Sequence, residues 1–484
     1  MNIMKIKKVL VANRGEIALR IIRACKELDI KSVAIFSEVD VEGLWVRKAD
    51  ECYPLVGNPI EAYLNYDRII DLAKKANCDA IHPGYGFLSE SAEFAQACDK
   101  AGVIFIGPKA EHIALFGDKM ASKEAMKGIG VPVLEGINTP VTNIKEGEKI
   151  SREIGFPVII KAAFGGGGKG MRIVREEKDF KEMFEAATDE AKKFFGKGDA
   201  FIEKFVENPR HIEVQVIADK YGNVLHLGER DCSIQRKHQK VIEIAPSPRL
   251  NEKVRRELYR VSTKAMFKLG YESVGTIEFL VDKDDNIYFI EMNTRVQVEH
   301  PVTEIISGID IIQRMIEIAE GDKLQFLQEE IKFRGYAIEF RINAEDPKKK
   351  FMPSSGTVEK YLTPGGPGVR IDTSIYTGYK IPANYDSMIG KLIVWGLDWE
   401  GTVRKARRAL DEFYIQGLPT NIPLHREIVR DIDFIEGNID TSYLEKKLDK
   451  FNMDAINHIE EEEKKMKNIT QLLKSIKEKN VSVR

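Results

Sequence analysis

The sequence predicts an α/β protein, with a parallel-sheet domain in about the first hundred residues and antiparallel hairpins in a longer region behind it. Three observations carry this reading. Residues 7–36, KKVLVANRGEIALRIIRACKELDIKSVAIF, run strand, loop, amphipathic helix, strand, which is a βαβ unit. The alternation of strand and helix repeats as far as VIFIGP at 103–108. Beyond residue 156, apolar strands flank short turn-forming segments in FPVIIKAAFGGGGKGMRIV and TIEFLVDKDDNIYFIEMN, the pattern of hairpins.

The loop of the first unit is ANRGE and not GxGxxG, so a dinucleotide fingerprint is absent. A helix near 66–77 leads into CDAIHPGYGFLSE, and a further helix ends near residue 100, which gives a Rossmann-like parallel-sheet domain over 1–106. HPGYGF, residues 82–87, is a glycine-rich turn after a strand, where ligands of open α/β sheets bind. A plain tight turn is the alternative. Residues 107–132 read as a helical linker. Inside it, Glu124-Ala125-Met126-Lys127 imitates the surroundings of a biotin-acceptor lysine. Acceptor lysines sit on hairpin tips, whereas apolar residues here recur at helical spacing, so Lys127 reads as an ordinary helix residue.

FPVIIKAAFGGGGKGMRIV, residues 156–174, is strand, glycine loop, strand. Gly165, Gly166, Gly167, Gly168 and Gly170 let backbone N–H groups approach an anion. The P-loop and the dinucleotide motif continue into a helix and this segment does not, so a hairpin that closes over phosphates fits better. A loop without a ligand is the alternative. Lys161 ends an apolar strand beside it, and a phosphate oxygen is a suitable partner. The next strand-rich stretch, 200–217, brings Glu203, Lys204 and His211. Arg230, Arg236, Lys237, His238 and Lys240 then cluster within 229–246, as a solvated face or an anion site.

The densest signal is EMNTRVQVEHPVTE, residues 291–304. Glu291, Asn293, Arg295, Gln297 and Glu299 fall on odd positions and would share one face of an extended backbone. Upstream, the odd positions Ile287 and Phe289 are apolar, as in a strand that leaves a core and enters a polar cleft. A loop of even length centred between Asp284 and Asp285 sets Glu278 opposite Glu291, with Cβ atoms ~5 Å apart. Two such carboxylates repel unless a proton or a cation separates them, and an oxygen-only pair suits Mg²⁺, with Asn293 as a third ligand. Two glutamates facing water are the alternative.

Composition excludes several classes. With 484 residues the chain needs two or three domains. Net charge is −2, which gives no drive toward nucleic acid or an anionic membrane. Five cysteines are scattered without CxxC spacing, against a disulfide framework and a zinc site. No signal peptide or long apolar run is present, so a cytoplasmic protein with no membrane association is expected. Residues 449–484 form a charged tail in which Met466, Ile469, Leu473 and Ile476 recur at helical spacing. That amphipathic helix docks on its own body or on a partner subunit.

Taken in order, ANRGEIA, HPGYGFLSE, GPK, GDK, KAAFGGGGKGMR, ENPRHIE, ERDCSIQRKHQK, EMNTRVQVEHPVTE, RINAEDP, YDSMIGKLIVW and YLEKKL resemble the ATP-grasp enzymes. Specifically, they resemble the biotin carboxylase subunits of biotin-dependent carboxylases, most of all the ATP-binding subunit of two-subunit pyruvate carboxylase. The resemblance implies an ATP-grasp architecture: the N-terminal α/β domain, a β-rich lid over 133–205, and a larger C-terminal part with an antiparallel sheet over 206–448. The implied reaction is ATP-dependent carboxylation of biotin by bicarbonate, via carboxyphosphate, giving carboxybiotin, ADP and phosphate. The implied cofactors are ATP, Mg²⁺ (or Mn²⁺) and biotin on a separate carrier protein.

Roles follow from the same resemblance. Lys119 and Lys161 contact ATP phosphates, with Gly165–Gly168 closing over them and Met171 beside them. Glu203, Lys204 and Val206 line the adenine pocket, His211 the ribose side, and His238 the terminal phosphates. Glu278, Glu291 and Asn293 hold metal. Lys240, Arg295, Gln297 and Val298 clamp bicarbonate, and Glu299 deprotonates it. Arg341 stabilises the biotin enolate, and Tyr85 and Gly86 touch the biotin ring. The expected partners are a biotin carrier and carboxyltransferase subunit, and a second copy in a homodimer. Phe164 before the glycines and EIAPS at 243–247 lean toward pyruvate as acceptor over acetyl-CoA or propionyl-CoA. Another ATP-grasp carboxylate ligase is the remoter rival, and a non-catalytic assembly subunit the other.

Overall fold

The computed structural model describes residues 5–136, 141, 143–162, 171–195, 200–453 and 465–475. Strands Lys8–Val11, Lys31–Ser37, Glu51–Leu55, Ala80–His82 and Ile104–Phe105 form one parallel sheet, with Lys8–Val11 at its centre. Its two faces follow from period two. Val9 and Val11 pack toward the helix Gly15–Glu27, while Leu10 packs toward Tyr66–Lys75 and Ala92–Ala101. Strand order reverses at Lys8–Val11, so the loops after this strand and after Ala80–His82 meet in a crevice. There the Asn13 amide donates to the carbonyls of Pro83 and Tyr85, both at 2.7 Å. Gly84 has φ +64°, and a Cβ there would come 3.0 Å from the Asn13 amide nitrogen. HPGYGF is thus a turn clamped by ANRGE, with Tyr85 as its product.

An eight-stranded antiparallel sheet forms the bulk of the remainder, in the spatial order Ile287–Asn293, Ser273–Val281, Arg210–Ala218, Val224–Arg236, Gln239–Ala245, Tyr336–Asn343, Met388–Gly396, Val369–Thr373. The helix Glu252–Leu269 buries Val254, Leu258, Val261 and Ala265 on one face of it, against Ile212, Val214, Ile277 and Phe279. Asn251 caps its first turn through Lys253 N, and Gly270 ends it in the left-handed conformation. The α/β class with a parallel N-terminal sheet and antiparallel sheets behind it agrees with the sequence.

A separate three-stranded sheet pairs Val158–Ala162 with Met171–Val174 and with Ala200–Lys204, under the helices Ile144–Ile154 and Phe180–Phe195. The hairpin sets Lys161 opposite Met171. Phe164, Gly165–Gly168 and Gly170 lie outside the described residues. In the linker, Ala110–Gly117 and Lys119–Ile129 are separate helices because Asp118 caps the second, accepting from Met120 N and Ala121 N. Lys127 sits in the last turn of that helix. Residues 465–475 form the helix expected in the tail, with Met466, Ile469 and Leu473 exposed. Ile476 is outside the described residues. Among the described residues no helix is long and apolar enough to cross a membrane.

One buried histidine gives a pH test of this packing. His425, in the helix Ile422–Ile428, has Nε2 2.8 Å from the Arg341 carbonyl, and burial lowers its pKa to about 4. The folded state keeps it neutral, while the unfolded chain protonates it below its ordinary value of ~6.5. Stability from this residue is therefore complete above that value and falls as pH drops toward 4, by about 1.4 kcal/mol per pH unit. The urea stability gap between wild type and His425→Gln should narrow by about 2 kcal/mol between pH 7 and pH 5. A constant gap would show that His425 is not held neutral.

Candidate active site

The C-terminal edge of the parallel sheet, the small sheet and the large antiparallel sheet border one cleft of about 1880 Å³. Its floor is the hairpin Ser273–Val281/Ile287–Asn293. The turn Asp282–Asn286 is odd in length, and Val281 pairs with Ile287. Such a turn alone would move Glu291 off Glu278. A bulge at Ile290 restores the register, so Glu278 pairs with Glu291 after all. The bulge also changes which side chains face where. Ile287 and Phe289 are succeeded on the core face by Met292, while Ile290, Glu291 and Asn293 line the cleft. The core face therefore continues as core, and the strand switches phase beneath it, a correction to the expected change of face. The strand also ends at Asn293; the chain bends, and Glu299 is the residue before the helix His300–Ser307.

The polar residues converge through hydrogen bonds in place of a continuous strand. Arg295 Nη2 donates to Asn293 Oδ1 at 2.9 Å and Nη1 to Gln297 Oε1 at 3.1 Å, while Gln297 Nε2 and Asn293 Nδ2 reach Glu278 Oε1 at 3.3 and 2.9 Å. His211 Nε2 lies 2.6 Å from Glu278 Oε2, with Gln235 Nε2 donating to its Nδ1 at 2.7 Å. Burial alone would raise the Glu278 pKa, but Lys240 and His211 outweigh it and hold the group ionised. Glu291 makes no hydrogen bond or ion pair among the described residues. Burial, then the Glu278 charge, raise its pKa. A carboxylate pair with one member unpartnered fits a divalent cation.

Behind the hairpin runs a chain of buried groups of alternating charge. Arg230 is fully buried and donates to Glu213, to Gln215 Oε1 at 2.9 Å, to Thr303 Oγ1 at 2.9 Å and to Thr276 Oγ1 at 3.1 Å. Lys240 Nζ bridges Glu213, Glu278 and Glu299 at 2.6, 2.8 and 2.8 Å. Arg341 donates to Glu299 Oε2 at 2.9 Å and to Glu243 Oε1 at 2.5 Å. Burial favours the neutral form of Glu299, but Lys240, Arg341 and Arg230 outweigh it and hold its pKa well below the usual carboxylate range. Glu243, beyond Arg341, is pushed up to about 7 by burial, which Arg341 opposes and the Glu299 charge reinforces.

Other expected residues are placed as follows. Tyr85, Gly86, Val206, His238, Val298 and Arg341 line the cleft. Lys237 and His238 form the turn between Val224–Arg236 and Gln239–Ala245, both with positive φ, as a two-residue hairpin turn requires. Glu203 holds Lys161 and, at 2.5 Å, Lys123. Burial would raise its pKa, but Lys161 and Lys123 lower it to about 2. Lys204 Nζ donates to the carbonyls of Gly155 and Phe156 at 2.8 and 3.0 Å. Lys119 opens its helix near enough to Glu291 to lower that group's pKa slightly against the larger raising causes. Arg295 also pairs with Glu90 at 2.9 Å. The side chain of Met171 and the glycines Gly165–Gly168 are outside the described residues.

Sequence reading named Arg230 only within a basic cluster, and quoted Glu213 and Glu243 only within longer motifs, with no role for either. Each glutamate sits in an apolar strand, in HIEVQV and VIEIAP. A charge in such a run is rarely buried without a partner, and that signal could have found them.

Comparison with known proteins gives three family-model matches that together span this architecture. Residues 5–113 match the biotin carboxylase N-terminal domain, 118–327 the ATP binding domain of the carbamoyl-phosphate synthase L chain, and 339–446 the biotin carboxylase C-terminal domain. The 2-oxoglutarate carboxylase small subunit of Hydrogenobacter thermophilus is 53% identical over 440 residues, covering 91% of this chain and 93% of that protein. A pyruvate carboxylase subunit of Methanothermobacter thermautotrophicus is 49% identical over 441 residues, covering 91% and 89%. The crystal structure of the H. thermophilus 2-oxoglutarate carboxylase biotin carboxylase domain dimer, in complex with MgADP, ADP and bicarbonate, superposes with TM-score 0.86 at 52% identity, covering 93% of this chain and 99% of that one.

Proposed function

This chain belongs to the biotin carboxylase family of ATP-dependent carboxylating ligases, and from that premise we propose that it uses Mg-ATP and bicarbonate to carboxylate biotin held on a separate carrier protein. The observation that carries this reading is Glu299. It is a fully buried carboxylate held by Lys240 and Arg341, directly behind these two residues where they line a cleft that the Glu278–Glu291 pair also lines.

In this reading Glu299 takes the proton of bicarbonate, and the bicarbonate oxygen attacks the γ-phosphorus to give carboxyphosphate and ADP. Lys240, Arg295 and Gln297 orient the anion together with the Val298 backbone. Glu299 is a weak base while Lys240 and Arg341 both hold it. An incoming anion draws these cations away, and the carboxylate gains basicity when its substrate arrives. Carboxyphosphate then releases CO₂, and the phosphate left behind takes the biotin ring-nitrogen proton so that this nitrogen bonds to CO₂; Arg341 faces the ureido oxygen, where negative charge develops, and Tyr85 and Gly86 border the ring. Glu278, Glu291 and Asn293 would hold Mg²⁺ or Mn²⁺, which supplies charge neutralisation at the phosphoryl oxygens. Lys119, Lys161 and His238 meet the phosphates, and Glu203, Lys204, Val206 and His211 the nucleoside.

The division into 1–106, 107–132, 133–205, 206–448 and 449–484 belongs to the same proposal, with the small sheet as the lid. So do a carrier and carboxyltransferase partner and a homodimeric state. The acceptor we propose is a 2-oxo acid, pyruvate before 2-oxoglutarate; the acceptors named for the two relatives described above are of this class. Cys25, Cys52, Cys78, Cys98 and Cys232 are free thiols, which supports a reducing cytoplasm.

The test is ADP release by the purified chain with Mg-ATP, omitting bicarbonate and free biotin in turn. Turnover that requires bicarbonate and rises with biotin is expected. Hydrolysis indifferent to both would sink the reading. Glu291→Gln should raise the Mg²⁺ concentration needed for half-maximal turnover by about tenfold or more. It removes a charge repelled by Glu278, so melting should not worsen. An unchanged Mg²⁺ titration would take Glu291 out of the metal site.

A further inference from the structure

Lys391 is a charged side chain with no accessible surface, and the reaction proposed above does not use it. It lies in the strand Met388–Gly396, between Arg341 on one neighbouring strand and Asp372 on the other. Burial would lower its pKa, but Glu16, Glu339 and Asp372 outweigh it and keep the ammonium charged. A buried pair of this kind is a weak source of stability, because desolvation offsets most of the attraction. What distinguishes Lys391 is where its bonds lead. Nζ donates to the Val298 carbonyl at 2.8 Å and pairs with Glu16 Oε1 at 3.1 Å. The same Glu16 oxygen accepts from the Tyr85 hydroxyl.

Val298 and Tyr85 line the cleft; Lys391 and Glu16 do not, and stand directly behind them. Tyr85 is already held at its backbone by Asn13. Glu16 holds it at the other end, so the ring is pinned at both. Val298 is the residue before Glu299, so the direction of its carbonyl bears on the segment that carries the base. One ammonium thus sets two groups on separate segments of the cleft wall.

We propose that Lys391 and Glu16 are positioning residues that fix the Tyr85 ring beside the biotin ring and the Val298 peptide beside bicarbonate. This deepens the biotin carboxylase reading and rests on it. Without Lys391, the Val298 carbonyl loses its donor and Glu16 its counter-charge. The Tyr85–Glu16 contact is then weakened. Biotin recognition should suffer before nucleotide recognition, since the nucleotide contacts proposed above lie elsewhere along the cleft.

The experiment uses the full-length chain with free biotin as probe and ADP release as readout. Biotin-stimulated turnover of the wild type tests the parent reading, and no response to biotin would overturn both. With that response in hand, Lys391→Met and Glu16→Gln should each raise KM for biotin about tenfold, while KM for Mg-ATP moves by less than about twofold. Adding Tyr85→Phe to Glu16→Gln should raise the biotin KM by less than the product of the two separate effects, because both changes weaken one contact. If Lys391→Met fails to fold, Glu16→Gln, which preserves shape and an acceptor for Tyr85, decides the matter. Biotin KM near the wild-type value in a folded variant overturns the proposal. So does an equal rise in both KM values, which marks a purely structural role.

Discussion

Glu299→Gln should lower bicarbonate-dependent ATP turnover by about 10²- to 10⁴-fold, the range that a positioned general base supplies. The substitution keeps the shape of a fully buried side chain and an oxygen for Lys240 or Arg341 to bond. It removes the carboxylate proposed to accept the bicarbonate proton. It also leaves two cations facing one neutral amide, so the pocket attracts anions more strongly. Bicarbonate affinity should therefore be preserved or improved while turnover collapses, and ADP binding should be unchanged. Normal turnover in a folded Glu299→Gln protein would refute the role of this residue as base. A matched loss of nucleotide binding would point to collapse of the network.

Arg230→Met should destabilise the fold by about 3–5 kcal/mol, the cost of leaving a buried charge without its partner. Arg230 and Glu213 both have no accessible surface. Without the guanidinium, Glu213 retains only Lys240, and Lys240 is then drawn away from Glu278 and Glu299. Chemical denaturation should show the loss, and activity should fall with it because the base loses a counter-charge. Adding Glu213→Gln should recover part of the stability, since the orphaned charge disappears. A single-variant loss below about 1 kcal/mol would mean that water reaches this layer and solvates Glu213.

Much of the fold was legible because its signals are local. The ANRGE loop, the HPGYGF turn and the glycine hairpin each lie within a few residues of the elements that they join. The carboxylate pairing was reached from an even loop, whereas an odd turn and a compensating bulge at Ile290 produce it. Nothing in the alternation of IYFIEMN marks an extra residue, because Ile290 is apolar and passes for core. Glu213 and Glu243 stayed hidden for another reason. Their partners Arg230 and Arg341 lie on other strands, and a strand written polar–apolar looks the same whether its polar face meets water or a buried cation. Lys391 is the extreme case. LIVW and MIGK around it say only strand, and its partner Glu16 lies at the other end of the chain.

The bulge at Ile290 has a consequence for how this hairpin can change. Before it, Ile287 and Phe289 answer to the core under the helix Glu252–Leu269; after it, Glu291 and Asn293 answer to the cleft while Met292 rejoins the core. The two halves keep separate phases on one strand, so the core half can drift through Ile, Leu, Val and Phe without rotating the carboxylates. Drawing Ile290 into the ladder would exchange the halves, sending Glu291 into oil and Met292 into the cleft, whereas deleting it would leave Glu291 opposite Glu278 and Met292 in the core. The facing of the carboxylates thus rests on the backbone of Ile290 staying out of the ladder, whatever side chain that position carries.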